Sequence, residues 1–228
     1  MGFGTHTRKH AGVELIVVFS MAMATMYGAV PAQALDVKLT MDEAKKALEA
    51  GRAPMEAAYK AKNPDEEVKK VMQQAALTTR VGADPVADPC GASAVLRTKR
   101  YWLESFGRVE ARESEKQKKD VRMPEEKIQK YLDNPYLETE FQVCGDDEYF
   151  AEGVTVVLQQ GNKKIHPVDN EIKPERGRKN DGQGPAYRTR FTARFAYNSL
   201  DPHAKTVMMV VYPDGKISEI EADFSKVK

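Results

Sequence analysis

The chain has 228 residues, of which 35 are Lys or Arg, 34 are Asp or Glu and 41% are hydrophobic. This length suits one sizeable domain or two small ones, with enough apolar residues to build a packed core. A net charge of +1 excludes nucleic-acid binding driven by bulk charge, so we expect no nucleic-acid partner. Two cysteines exclude a cysteine-rich zinc site or an iron–sulfur cluster within one chain.

Residues 1–34 have the pattern of an export signal. Arg8 and Lys9 are basic, residues 15–30 are almost wholly apolar, and residues 32–34 (Ala-Gln-Ala) form a small-x-small cleavage pattern. The apolar run is shorter than the about 20 residues needed to span a bilayer, which favours a cleaved signal over a retained anchor. We therefore predict a periplasmic or secreted protein that meets the membrane only transiently, through this segment.

Export determines how the two cysteines are interpreted. Without residues 1–34 the chain holds 33 basic and 33 acidic side chains, and the cysteines are Cys90 and Cys144. In an oxidising compartment an isolated pair predicts a structural disulfide. The alternative, a redox or metal-binding thiol, lacks a CxxC motif or a nearby histidine.

Residues 35–81 are predicted to form a helical N-terminal segment. A capping-box pattern at 40–43 begins a first helix, which Gly51 is expected to end, and Pro54 is placed to start a second. The Asn-Pro pair at 63–64 supplies an N-cap and a first-turn proline for a third helix.

The third helix carries a narrow apolar face, formed by Val68, Val71, Met72 and Ala75. Such stripes usually face a core, so we expect this face to pack on the rest of the protein. The alternative is a helical arm that docks onto a partner. The next segment, 82–93, is rich in Gly, Pro and Asp and is predicted to be a linker that Cys90 pins to the following domain.

Residues 94–228 are predicted to form a β-sandwich domain. Strand patterns recur at 137–143, 154–158, 163–167, 187–197, 206–212 and 217–224. Residues 94–130 fit a strand about as well as a helix. The predicted fold class is α+β, with short N-terminal helices followed by a mainly antiparallel β-sandwich of immunoglobulin-like strand rhythm. Cys144 falls on a polar strand face, which predicts a disulfide across the outside of a sheet.

One candidate ligand site is a row of arginines. Arg188, Arg190 and Arg194 share one strand face at intervals of about 7 Å or more, a spacing that suits an anionic polymer, a phosphate or a sulfated ligand. The favoured alternative is that carboxylates on another C-terminal strand neutralise the row by cross-strand pairing. These carboxylates are Glu219, Glu221 and Asp223.

A second candidate is an acidic loop formed by Asp146, Asp147 and Glu148. Oxygen-rich loops of exported β-domains can bind Ca²⁺, but the spacing matches no specific loop signature. A solvated turn is the favoured interpretation, and we expect no other cofactor.

The conventional catalytic motifs, including GxSxG, HExxH and the phosphate-binding loop, are missing. The favoured function is therefore an exported, non-enzymatic binding or assembly protein of the cell envelope. Its β-domain would recognise an envelope protein or an anionic polymer, and the oligomeric state is left open. The alternative is an exported hydrolase or metal-dependent enzyme that uses the two histidines of the mature chain with nearby carboxylates. These residues are His166, His203, Asp169, Glu171 and Asp201.

Overall fold

The computed structural model describes residues 35–180 and 184–227, so the predicted export signal lies outside the described residues. The described residues form four α-helices and nine β-strands. The helices are α1 (Met41–Tyr59), α2 (Pro64–Leu77), α3 (Lys99–Gln117) and α4 (Glu125–Leu132). No described helix is both long enough and apolar enough to cross a membrane.

The strands form two antiparallel sheets. Their bounds are β1 (Arg80–Gly82), β2 (Ser93–Arg97), β3 (Tyr136–Gly145), β4 (Thr155–Gln160), β5 (Lys163–Ile165), β6 (Arg178–Lys179), β7 (Tyr187–Ala196), β8 (Lys205–Val211) and β9 (Ile217–Asp223). One sheet has the order β1-β2-β3-β7-β6, and the other has the order β5-β4-β8-β9. The predicted α+β fold class, with helices and a mainly antiparallel sandwich, is confirmed.

The sandwich core forms because the long strands alternate apolar and polar residues. On β7 the side chains of Thr189, Phe191, Ala193 and Phe195 are buried. Phe191 stacks on Phe141 of β3 with ring centroids 5.4 Å apart. From the four-stranded sheet, Leu158, Met208 and Ile220 join the same buried cluster. The outer face of the five-stranded sheet therefore carries the even-numbered residues of β7, among them the predicted arginines.

Helix α1 begins with the predicted capping box, but the predicted end at Gly51 is wrong because α1 continues through Pro54 to Tyr59. A Cβ on Gly51 would lie 1.9 Å from the carbonyl oxygen of Glu104 on α3. A Cβ on Gly107 would lie equally close to the carbonyl oxygen of Leu48 on α1. Glycine at these two positions therefore lets the two helices approach closely, and it does not end α1.

Residues 94–130 contain a strand and two helices. β2 ends at Arg97, and the side chain of Thr98 then caps α3 by accepting a hydrogen bond from the Tyr101 amide at 3.0 Å. Leu103 of α3 and Ile128 of α4 pack with residues of α1 in a second buried cluster, separate from the sandwich core. The helical layer thus combines α1 with two helices from the segment that follows the predicted linker.

A buried ion network ties α1 to α3 and to the loop before α4. Arg52 is 3% exposed and forms salt bridges with Glu56, Glu110 and Asp120. It also donates a hydrogen bond of 2.8 Å to the carbonyl oxygen of Val121. Glu110 is 6% exposed and accepts a hydrogen bond from the backbone amide of Met123. The side chain of Arg52 therefore fixes the course of the α3–α4 connection.

Helix α2 packs on the protein only in part. Its start at Asn63-Pro64 is confirmed, and it contacts α1, but none of its residues is fully buried. On its predicted apolar face Val68, Val71 and Ala75 are half-buried, whereas Met72 is 49% exposed. The expected packing of this face therefore holds for three of its four residues.

Candidate functional site

The predicted arginine row lies on the outer face of the five-stranded sheet. Arg188, Arg190 and Arg194 alternate with buried residues of β7, as expected. The predicted neutralisation by Glu219, Glu221 and Asp223 is wrong, because β9 belongs to the other sheet and β7 is flanked by β3 and β6. The charges of the row must therefore be balanced elsewhere or remain available to a ligand.

The three arginines differ in how far they are neutralised. Arg194 is fully engaged, since its Nε and Nη2 donate to Asp169 Oδ1 at 2.8 and 2.6 Å. Among the described residues Arg190 has one distant ion-pair partner, Glu140, at 3.9 Å, and Glu140 is also paired with Arg97. Arg188 forms no ion pair with any residue that the structure describes. Arg188 and Arg190 are therefore the available cations of the row, and Arg194 is not.

Arg188 and Arg190 line a cleft of about 250 Å³ together with two arginines of the preceding segment. The strand register places Arg178 directly opposite Arg188, and like charges in this position repel each other. Both arginines of the preceding segment have carboxylate partners: Arg176 is paired with Glu148, and Arg178 is paired with Glu175 at 3.5 Å. We call this site the arginine cleft; its lining residues are Glu140, Glu175, Arg176, Arg178, Arg188, Thr189 and Arg190.

Arg80 of β1 adds a further positive charge beside the arginine cleft. Its Nη1 donates to the Ser93 hydroxyl at 2.7 Å, while its buried Nε has no hydrogen-bond partner in the described part of the chain. Burial, and then the positive charge of Arg190, lowers the pKa of the Arg80 guanidinium. An anion in the cleft would relieve the repulsion among these groups, so the arrangement is suited to binding phosphate, sulfate or carboxylate groups.

The Cys90–Cys144 disulfide predicted from the sequence is confirmed. Its Cα atoms are 5.3 Å apart, and it links residues separated by 54 positions. Cys144 lies opposite Arg188 on the outer face of the five-stranded sheet, and Asn180 donates a hydrogen bond of 3.0 Å to the sulfur of Cys90. The disulfide therefore holds the predicted linker across the outside of the sheet, beside the arginine cleft.

The proposed calcium loop has local partners for two of its carboxylates. Asp147 accepts a hydrogen bond of 2.8 Å from the backbone amide of Tyr149. Glu148 is bound by Arg176, and Asp146 is exposed. Within residues 35–180 and 184–227, no three His, Cys, Asp or Glu side chains lie close enough together to hold a metal ion.

The two histidines of the alternative enzyme hypothesis are both exposed. His166 follows β5 and lines a cleft beside Asp169, whose carboxylate is already bound by Arg194. His203 lies in a turn before β8, where its backbone amide donates to Asp201 at 2.9 Å. His203 does not line the cleft of His166. The described residues therefore do not bring the two histidines into one cleft.

Together, the described residues define an α+β protein with a disulfide-linked sandwich and an arginine cleft on its outer face. No protein-family model matches the chain, and no curated protein matches it. Among solved structures the chain is similar to the IgNAR antibody domain C1, with a TM-score of 0.27 and 12% identity. That alignment covers 45% of this chain and 84% of the antibody domain.

Proposed function

We propose that the protein is an exported, non-enzymatic binding protein of the cell envelope that recognises an anionic polymer through the arginine cleft. The observation that carries this proposal is the local excess of positive charge. Within the part of the chain that the structure describes, Arg188 has no carboxylate partner and Arg190 has a single one, at 3.9 Å. Arg188 also faces Arg178 across the strands. Such an arrangement does not by itself stabilise the fold, and it favours the binding of a polyanion.

The double variant Arg188→Gln/Arg190→Gln tests whether the arginine cleft binds an anionic polymer. We expect its Kd for heparin, a sulfated polymer, to rise more than about tenfold at low salt, because two of the charges that contact the polymer are lost. The slope of log K against log salt should fall by about two, one for each lost contact. Titration of labelled heparin over a series of salt concentrations measures both quantities, and polyphosphate tests whether phosphate replaces sulfate.

The matched control is Lys164→Gln/Lys205→Gln, which removes the same charge from exposed positions on the four-stranded sheet. We expect this control to bind heparin as the unmodified protein does. An equal loss of binding in both double variants would show that only total charge matters and would contradict the proposal. Unchanged heparin binding with a lowered free energy of unfolding in Arg188→Gln/Arg190→Gln would assign the two arginines a structural role instead.

The proposal of export is supported by the position of Leu35. The Leu35 side chain is 2% exposed in the sandwich core. Its backbone nitrogen donates to the carbonyl oxygens of Phe224 at 3.0 Å and Pro202 at 3.2 Å. Cleavage after Ala34 would convert this nitrogen into an ammonium group, which can still donate to both carbonyls.

Expression of the full chain in an export-competent bacterium tests the proposed processing. We expect the protein recovered from the periplasm to begin at Leu35, because the cleavage pattern ends at Ala34. N-terminal sequencing and intact mass measurement give the first residue. Recovery of a chain that keeps residues 1–34 in the membrane fraction would support the anchor and contradict cleavage.

A further inference from the structure

A second surface lies at the end of the sandwich, beside the disulfide. The β3–β4 loop, the β8–β9 hairpin and Pro185 enclose a groove of about 860 Å³. Cys144 and Gly145 form part of it, so the groove adjoins the strand end that carries the disulfide. We call this surface the acidic groove. Its size is near the upper end of the range for ligand pockets, which leaves room for several side chains of a partner.

The acidic groove has an apolar floor. The ring centroids of Phe150 and Tyr212 lie 6.2 Å apart. The Phe150 ring packs so closely on Gly145 that a Cβ added to this glycine would lie 2.1 Å from the Phe150 Cγ atom. At the rim, Ile217 is 54% exposed, and Tyr149 is 55% exposed with the Arg176 guanidinium 5.5 Å from its ring centroid. Ile217 is among the most exposed large apolar residues of the described chain, and a bound apolar side chain would cover it.

The charge of the acidic groove is negative. Of its four carboxylates, Asp214 is paired with Lys216 at 3.0 Å. Asp146, Asp147 and Glu152 are exposed and form no ion pair with the described residues. These carboxylates do not form a metal-binding group within the described residues. A set of separated negative charges above an apolar floor complements a chain that carries several positive charges rather than a single ion.

From this complementarity we infer that the acidic groove binds an extended, cationic peptide segment of a partner protein. Lysine or arginine side chains of the segment pair with Asp146, Asp147 and Glu152, and an apolar side chain between them packs against Phe150, Tyr212 and Ile217. The inference does not depend on the arginine cleft, because the two surfaces have opposite charge and select ligands of opposite charge.

The test uses three labelled synthetic peptides of nine residues: one alternates lysine with leucine, one alternates lysine with glycine, and one alternates glutamate with leucine. We expect the lysine–leucine peptide to bind most tightly and the glutamate–leucine peptide not to bind. The variant Asp146→Asn/Asp147→Asn should raise the Kd of the lysine–leucine peptide about tenfold or more in fluorescence anisotropy. Ile217→Ser should weaken binding of the lysine–leucine peptide but leave binding of the lysine–glycine peptide unchanged, because only the leucine side chains pack against Ile217.

The matched control is Glu219→Gln/Glu221→Gln, which removes two exposed carboxylates of β9 outside the acidic groove. If this control and Asp146→Asn/Asp147→Asn raise the Kd of the lysine–leucine peptide equally, binding depends only on overall charge and the inference is overturned. Equal binding of the lysine–leucine and lysine–glycine peptides would overturn it as well. If the protein self-associates with increasing concentration and Ile217→Ser abolishes this association, the groove binds a second copy of this chain and not a partner peptide. Heparin binding of each variant shows whether the arginine cleft is intact, which separates a failure here from a failure of the proposed function.

Discussion

Replacing Arg52 with methionine is expected to lower the free energy of unfolding by about 3–5 kcal/mol. Arg52 is 3% exposed, and its guanidinium lies 3.5 Å from the carboxylate of Glu110, which is itself 6% exposed. Methionine fills much of the same volume but leaves the Glu110 charge buried without its partner, and an uncompensated buried charge is strongly destabilising. Urea unfolding followed by circular dichroism measures the change.

Two further variants identify the cause of this loss. The double variant Arg52→Met/Glu110→Leu removes both buried charges, and we expect it to regain part of the lost stability because no unpaired charge remains. Arg112→Gln, on the same helical layer but with a 62% exposed side chain, should change stability by less than about 0.5 kcal/mol. A loss in Arg52→Met no larger than that of Arg112→Gln would show that the buried network does not stabilise the helical layer.

The elements that were predicted well are those whose signal is local. The capping box at 40–43, the Asn63-Pro64 start and the long alternation of β7 each depend on a few neighbouring residues. Gly51 was misinterpreted because its role depends on Glu104, which is distant in the chain and approaches only when α3 packs on α1. A local rule interprets a helical glycine as an end, whereas here the glycine makes room for a second helix.

The candidate site was predicted in part for the same reason. The arginines of β7 could be placed on one face because a long strand repeats every two residues. Arg178 and Arg80 belong to strands of only two and three residues, which show no usable period and form only by pairing with a neighbour. The favoured neutralisation by Glu219 and Glu221 required β9 to lie next to β7, and the sequence does not specify which strands share a sheet.

Removing the disulfide by Cys90→Ala/Cys144→Ala is expected to lower the free energy of unfolding by about 4 kcal/mol, according to the chain-entropy model. The bond closes a loop between residues separated by 54 positions, so the unfolded chain gains considerable freedom without it. In the folded state the bond is the covalent link between the 82–93 segment and the end of β3, beside both proposed binding surfaces. Thermal and urea unfolding of the two proteins measure the difference.

Reduction provides the control for this variant, because it breaks the same bond without changing the sequence. We expect a reducing agent to lower the Tm of the unmodified protein to near that of Cys90→Ala/Cys144→Ala, and to leave the Tm of the variant unchanged.

Reduction should also weaken binding of the lysine–leucine peptide more than binding of heparin. Cys144 lines the acidic groove, whereas the arginine cleft is held by the register of β6, β7 and β3. If the reduced protein unfolds within about 1 kcal/mol of the oxidised one, the 82–93 segment is held in place by its backbone hydrogen bonds and not by the disulfide.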